Sequence, residues 1–146
     1  MEVTGHGKIK LQVITPEKVA LEKEVDFVAL PAVNGEMGVL HGHIPYLTQL
    51  VPGALRARTG DVQELFAVSG GFAEIKRDSV SVFAETAELA GEIDAERARQ
   101  AAEKAQALKK TAGSDDVTLA QAELAIARAM VRVRVSEYQR RKTIQH

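Results

Sequence analysis

Apolar and polar residues follow one rhythm up to about residue 84 and another from about residue 94. In the first stretch Ile9, Leu11 and Val13 alternate with Lys10 and Gln12, and Pro16 follows, the period-two pattern of a half-buried strand. Val19-Ala20-Leu21 and the run Val25–Leu30 predict the next strands, and Asn34-Gly35 predicts a tight hairpin because both residues tolerate positive φ. Tyr46–Val51, Ala54–Arg58, Val62–Val68, Phe72–Ile75 and Val80–Ala84 continue the series, separated by Pro52-Gly53, Thr59-Gly60-Asp61, Ser69-Gly70-Gly71 and Lys76-Arg77-Asp78. Turns every eight to twelve residues and no long helical pattern predict an all-β unit of roughly ten strands, a sandwich or barrel.

From Asp94 onward the period becomes helical. Ala98, Ala101, Ala102, Ala105 and Leu108 fall on one face, with Asp94 as N-cap. Thr111–Asp116 is the break, with Gly113 as the C-terminal cap and Asp115 or Asp116 starting a second helix that runs from about Val117 to Arg141. That helix carries two apolar stripes: Leu119, Ala122, Ile126, Met130 and Val133, and Leu124, Ala127, Val131, Val135 and Tyr138. A surface helix needs only one, so this one requires cover on two sides. The predicted fold is thus an all-β N-terminal domain over 1–90, a roughly ten-stranded β-sandwich, followed by an all-α C-terminal domain over 91–146, an antiparallel two-helix hairpin.

Charge sharpens this division. Residues 1–88 hold eight Lys/Arg against twelve Asp/Glu, whereas 89–146 hold eleven against eight, so a formal net charge of −1 over 146 residues hides a basic helical half. The small net charge argues against nucleic-acid binding along a backbone. With no cysteine there is neither a disulfide nor a thiolate site. Met1–His6 lacks a basic flank and an apolar run, so no signal or transit peptide is expected, and no stretch reaches the roughly 20 apolar residues of a membrane span.

No catalytic motif emerges: there is no phosphate loop, no His-Glu-x-x-His and no Gly-x-Ser-x-Gly around Ser69. His41 and His43 have no third ligand nearby, so no metal site is expected. The sharper constellation is Glu88, Ile93, Asp94, Arg97, Arg128 and Arg132. Arg128 and Arg132 share a helix face, and in an antiparallel hairpin the end of helix two returns beside the start of helix one, bringing three guanidinium groups toward the junction. Guanidinium holds phosphate bidentately, while the two carboxylates suit only the base or ribose of a nucleotide. The alternative is that Asp94 simply caps its helix and the arginines pair with Glu96, Glu123 or Glu137 on a solvated face. The tail from Arg128 to Lys142, six cations against Glu137 alone, is either solvated surface or a grip on an acidic partner.

Spaced motifs then point to a family. Leu30-Pro31-Ala32-x-x-Gly35-Glu36-x-Gly38-Val39-Leu40-x-x-His43-x-Pro45, Pro52-Gly53-x-Leu55, Gly70-Gly71-Phe72-x-Glu74 and Ala84-Glu85-x-Ala87-Glu88 occur in order. From about Ile9 to Tyr138 the chain resembles the epsilon subunits of bacterial F-type ATP synthases, a family shared with plastid epsilon and mitochondrial delta subunits. The resemblance implies a non-catalytic rotor part, peripheral on the cytoplasmic face of the bacterial membrane and held there only through its complex. The sandwich is expected to bind the gamma subunit and the polar loops of the c-ring, with Asn34, Gly35, Glu36 and His43 as contact candidates. The hairpin is expected to regulate: folded, or extended toward the alpha and beta subunits, where it obstructs ATP hydrolysis.

Some bacterial members bind ATP through an Ile/Leu-Asp-x-x-Arg-Ala element, which Ile93-Asp94-Ala95-Glu96-Arg97-Ala98 matches, together with Glu88, Arg128 and Arg132 at the corresponding positions. Lys104 departs from that pattern, standing where an ATP-binding relative can carry arginine; it keeps the charge and loses the fork. No cofactor is required on this resemblance, and ATP is a regulatory ligand. Two other functions compete: an enzyme acting on nucleotides, disfavoured by the missing phosphate loop, and a free-standing nucleotide-sensing β-domain outside any synthase.

Overall fold

A computed structural model of the chain describes residues 7–113 and 115–144. The leader reading of Met1–His6, and Ser114 within the predicted break, lie outside the described residues. The chain forms two compact units, one ending at Leu89 and one beginning at Ala90.

The first unit holds ten strands: β1 (Ile9–Ile14), β2 (Val19–Val25), β3 (Phe27–Ala32), β4 (Gly35–Leu40), β5 (Tyr46–Leu50), β6 (Gly53–Thr59), β7 (Val62–Val68), β8 (Gly71–Ile75), β9 (Ser79–Ala84) and β10 (Ala87–Leu89). Their hydrogen-bonded order is β10-β7-β6-β3-β5-β8-β9-β1-β2, with β4 on the other edge of β3. Strand β3 is where one sheet becomes two. Along one edge Phe27–Ala29 pair with β6 through Arg58–Arg56, and by Ala32 the partner has become Leu50 of β5. Val33 N donating to Gln49 O (3.0 Å) and Val51 N donating to Pro31 O (3.0 Å) complete the change of partner. The inner faces enclose a core that includes Leu11, Val13, Val28, Leu30, Val39, Leu55, Phe66, Ile75, Val80 and Val82. Strand alternation supplies these residues, since every second side chain turns inward.

The Val25–Leu30 run, expected as one strand, is two. Asp26 interrupts it, its N–H donating to Arg58 O (2.8 Å) while its carboxylate accepts from Gly60 N (2.6 Å) and Lys8 Nζ (2.5 Å). The chain leaves one sheet at Val25 and enters the other at Phe27, so an alternation that looks continuous crosses between layers. The tight hairpin expected at Asn34-Gly35 forms, one residue earlier: Val33 and Asn34 make the connection, Gly35 has φ +121° and Asn34 is not left-handed. Gly71 is required by close approach as well as by its φ of +132°, because a Cβ there would sit 1.9 Å from Phe83 O on β9. Strands β1 and β9 pair in parallel, while the other pairings are antiparallel. The Lys23–Glu64 ion pair ties β2 to β7.

In the second unit a short 3-10 turn, Ala90–Glu92, precedes α1 (Ala95–Thr111) and α2 (Asp116–Ile144). Asp94, in extended conformation, caps α1 by accepting from Arg97 N at 3.1 Å. Such a cap contributes about 1 kcal/mol. Gly113, at φ +61°, ends the helix in the left-handed region, and Asp115 restarts the chain by accepting from Val117 N (3.2 Å) and Thr118 Oγ1 (2.6 Å). Ala98, Ala102 and Ala105 are the buried face of α1; Ala101 and Leu108 are exposed. On α2 the buried residues are Ala122, Ala129, Val131, Val135 and Ser136, whereas Leu124, Ala127 and Met130 from the two expected stripes are exposed. The buried face runs through Ala122, Ala129 and Ser136 at seven-residue spacing, and the last two belong to neither expected stripe: the stripes were laid out through large apolar side chains, whereas small ones occupy much of this face.

Asp26 gives the sandwich a definite pH dependence. The Gly60 amide first, then the Lys8 ammonium, hold its carboxyl below the ordinary value of 3.8. A folded pKa below the unfolded one contributes stability that is complete above the unfolded value and is lost as pH falls through the folded one. Asp26→Asn is therefore expected to melt below the wild type at neutral pH, with the gap closing as pH drops below about 4. Thermal melts of both proteins from pH 7 to pH 3 check this; curves that stay parallel would contradict it.

Candidate functional site

Two clusters come from the sequence, one on each unit. At the β3–β4 turn, Pro31 lies opposite Glu36 and Ala32 opposite Gly35. Asn34 and Glu36 are exposed, and Glu36 Oε1 accepts from Arg56 Nη2 at 2.5 Å. His43 lies after β4, its Nδ1 2.7 Å from Ile44 O, and its N–H donates to Leu40 O (3.1 Å). The His41 ring lies elsewhere, against Gly7, where a Cβ would approach its Nε2 to 2.8 Å.

The second cluster is on the helical unit. Two ion pairs set the register of the hairpin: Arg99 Nη2 to Glu137 Oε1 at 3.8 Å, and Lys109 Nζ to Glu123 Oε1 at 3.6 Å. Residue numbers rise along α1 as they fall along α2, so the helices run antiparallel. On this register Arg128 and Arg132 are level with the stretch between Arg99 and Lys109, the stretch of Lys104, and not with Asp94. Lys104 lies about 10 Å along the axis from Arg97 at 1.5 Å per residue. The candidate residues are consequently strung along the hairpin: Ile93, Asp94 and Arg97 at its base, Lys104, Arg128 and Arg132 midway.

Their environments differ as well. Ile93 is buried, Asp94, Arg97 and Lys104 are exposed, and Arg128 and Arg132 are half-buried with their Nε atoms fully enclosed. Arg128 and Arg132 are also engaged by interactions within the chain. Of the acidic residues named in the solvated-face reading, Glu96 and Glu137 meet Arg99, Glu137 also meets Arg141, and Glu123 meets Lys109. Glu88, the remaining candidate, belongs to the sandwich unit, where β10 pairs it with Ala67.

One feature of the sandwich escaped sequence reasoning. Phe72 and Phe83 are cross-strand partners on β8 and β9, and they are 54% and 44% exposed. With Ile14, Pro16 and Gly71 they line an open apolar cleft of about 400 Å³. Leu47, on β5 beside β8, is exposed as well. Large apolar side chains left in water forgo about 1.5–3 kcal/mol each when fully exposed, so this face is a candidate binding surface. The signal was present: both phenylalanines occupy the outward phase of strands whose inward phase is Ala73, Ile75, Val82 and Ala84.

Among the described residues no helix is long and apolar enough to cross a membrane. Comparison with known proteins covers both units. Residues 8–90 match the family described as ATP synthase, Delta/Epsilon chain, beta-sandwich domain, and residues 92–137 match ATP synthase, Delta/Epsilon chain, long alpha-helix domain. The ATP synthase epsilon chain of Syntrophobacter fumaroxidans is 46% identical over 131 residues, spanning 89% of this chain and 96% of that protein. That of Herpetosiphon aurantiacus is 43% identical over 135 residues, with 92% and 98% covered. Among solved structures, a chain of the Euglena gracilis mitochondrial ATP synthase, from a structure of its OSCP/F1/c-ring assembly, is similar with a TM-score of 0.73 at 30% identity, covering 82% of this chain and 76% of that one. A chain from the Tetrahymena thermophila mitochondrial central stalk and c-ring, at 12% identity and a TM-score of 0.58, has the same fold. With both domain matches in order and relatives above 40% identity along nearly their whole length, this chain belongs to the ATP synthase delta/epsilon family.

Proposed function

We propose that the chain is the epsilon-type subunit of an F-type ATP synthase: a non-catalytic part of the central stalk that couples c-ring rotation to ATP synthesis. The observation that carries this is the extent of the match, since a sandwich and a hairpin in the same order span 96% of an ATP synthase epsilon chain. The Euglena relative comes from a structure containing F1 and the c-ring, which supports those neighbours as partners. The subunit is peripheral, on the cytoplasmic face of a bacterial membrane, and reaches the membrane only through the complex.

Each unit has a distinct part in this reading. The apolar face around Leu47, Phe72 and Phe83 is the surface for gamma, because it offers large side chains whose desolvation rewards a protein partner. The turn carrying Asn34, Gly35 and Glu36, with His43, faces the polar loops of the ring. The basic hairpin, extended toward the acidic surface of alpha and beta, inhibits hydrolysis; folded, it binds ATP. Its geometry suits an elongated ligand. Asp94 at the base can accept from a base or ribose, and Lys104, Arg128 and Arg132 midway along supply cations for phosphate, about 15 Å away along the axis.

Mixing the full chain with purified gamma is expected to give a stable stoichiometric complex. Phe72→Glu, at a position already half exposed, should weaken it on the order of tenfold or more, the loss typical of an interface anchor. Unchanged affinity in that variant would place gamma elsewhere on the sandwich, and no complex at all would favour a free-standing nucleotide-sensing domain.

Arg128→Ala or Arg132→Ala is expected to reduce ATP affinity by roughly tenfold, the value of one charge-assisted contact, and Lys104→Ala by less. Isothermal calorimetry on the isolated chain measures this. ATP binding with unaltered affinity in both arginine variants would remove the proposed phosphate site.

A further inference from the structure

The Glu36–Arg56 pair crosses a strand. Ala29 and Pro31 are two apart on β3 and so share its outer face; Arg56 on β6 lies opposite Ala29, and Glu36 on β4 lies opposite Pro31. The backbones of β4 and β6 flank β3 and are therefore about 10 Å apart. The Arg56 side chain bridges that span and places Nη2 2.5 Å from Glu36 Oε1. Ala29 is 0% exposed although its neighbours Val28 and Leu30 fill the inner core, so its methyl lies on the outer face and is covered there. Arg58, two residues on, lies in the same manner over Phe27, 5.5 Å from the ring centroid. Two arginines of β6 are thus laid across the outer face of β3.

We infer that Arg56 is a positioning residue for the proposed ring contact: it fixes the Glu36 carboxylate through Oε1 and leaves Oε2 as a directed acceptor for a hydrogen-bond donor on a polar loop of the partner. This rests on the reading that the β3–β4 turn faces the c-ring. Among the described residues Oε2 accepts no hydrogen bond. A lone glutamate side chain at an exposed turn samples several rotamers, and ordering it at the moment of binding has an entropic cost that a preformed pair reduces. The pair also balances one charge with another, so the surface presents an oriented dipole in place of a bare anion, and a partner is selected by donor geometry more than by net charge. Because both side chains are substantially exposed, at 37% and 55%, the pair contributes little to folding. Its loss should therefore appear in partner binding and not in stability.

The test measures binding of the full-length chain to purified c-ring in detergent, with melting temperature recorded for every variant. Arg56→Gln is expected to weaken binding on the order of tenfold with an unchanged melting temperature, and Arg56→Lys to restore part of the loss. Glu36→Gln should lose at least as much, and the double variant should lose no more than Glu36→Gln alone, because coupled neighbours are not additive. Weakened binding in Glu36→Gln beside normal binding in Arg56→Gln would overturn the positioning role while keeping Glu36 as the contact. Losses that add in the double variant would make Arg56 an independent contact and overturn it too. Normal binding in Glu36→Gln, or no binding by the wild type, would overturn both the inference and the reading beneath it.

Discussion

The sandwich depends on β3 serving three partners. Phe27–Ala29 give their hydrogen bonds on one edge to β6, Ala32 gives its own to β5 on that same edge, and the other edge belongs to β4. A strand shared in this way joins two layers without a separate connection, and the inward side chains of Val28 and Leu30 fill the space between them. The entry point has to be fixed, because a slip of one residue would turn the core side chains of β3 outward. Asp26 fixes it, with its own amide on Arg58 O and its carboxylate on Gly60 N and Lys8 Nζ. Everything placed on the outer face of β3, the Arg56–Glu36 pair included, inherits its position from that anchor.

The hairpin is held by weaker means. Its buried face on α1 consists of alanines, which bury little area each and lose no side-chain entropy. The ion pairs between its helices are exposed and contribute roughly 0.2–1 kcal/mol apiece. Caps at Asp94 and Asp115 and the left-handed Gly113 define where each helix begins and where the first one ends. On α2 the buried side chains include Val131 and Val135, so most of the apolar burial comes from the second helix. The proposed exchange between a folded and an extended hairpin requires that a ligand of modest differential affinity be able to bias it.

Much of this was legible in the residues. Period-two alternation gave the strands from Ile9 to Ala84, and the change to a helical period after Asp94, with its cap, gave the hairpin; Gly113 marked the break. Pairing was less accessible. Nothing local announces that β1 lies parallel to β9, or that the run from Val25 to Leu30 crosses between layers at an aspartate whose partners are eighteen and thirty-four residues away. Arg56 could not be linked to Glu36 for the same reason. In the candidate site the residue types were visible but their spacing was not: sequence reasoning gathered Arg128 and Arg132 at the junction, whereas the register of Arg99 with Glu137 and Lys109 with Glu123 sets them midway along the hairpin. Phe72 and Phe83 were counted as strand residues without regard to phase, and phase is what distinguishes a core aromatic from a docking one.

The proposed division of labour gives coupling to the sandwich and inhibition to the hairpin. It is tested most directly in a reassembled synthase whose epsilon-type chain ends at Ala90. Proton-driven ATP synthesis should persist and ATP hydrolysis should rise relative to the full chain. Hydrolysis that stays unchanged, or coupling that fails without the hairpin, would contradict the account.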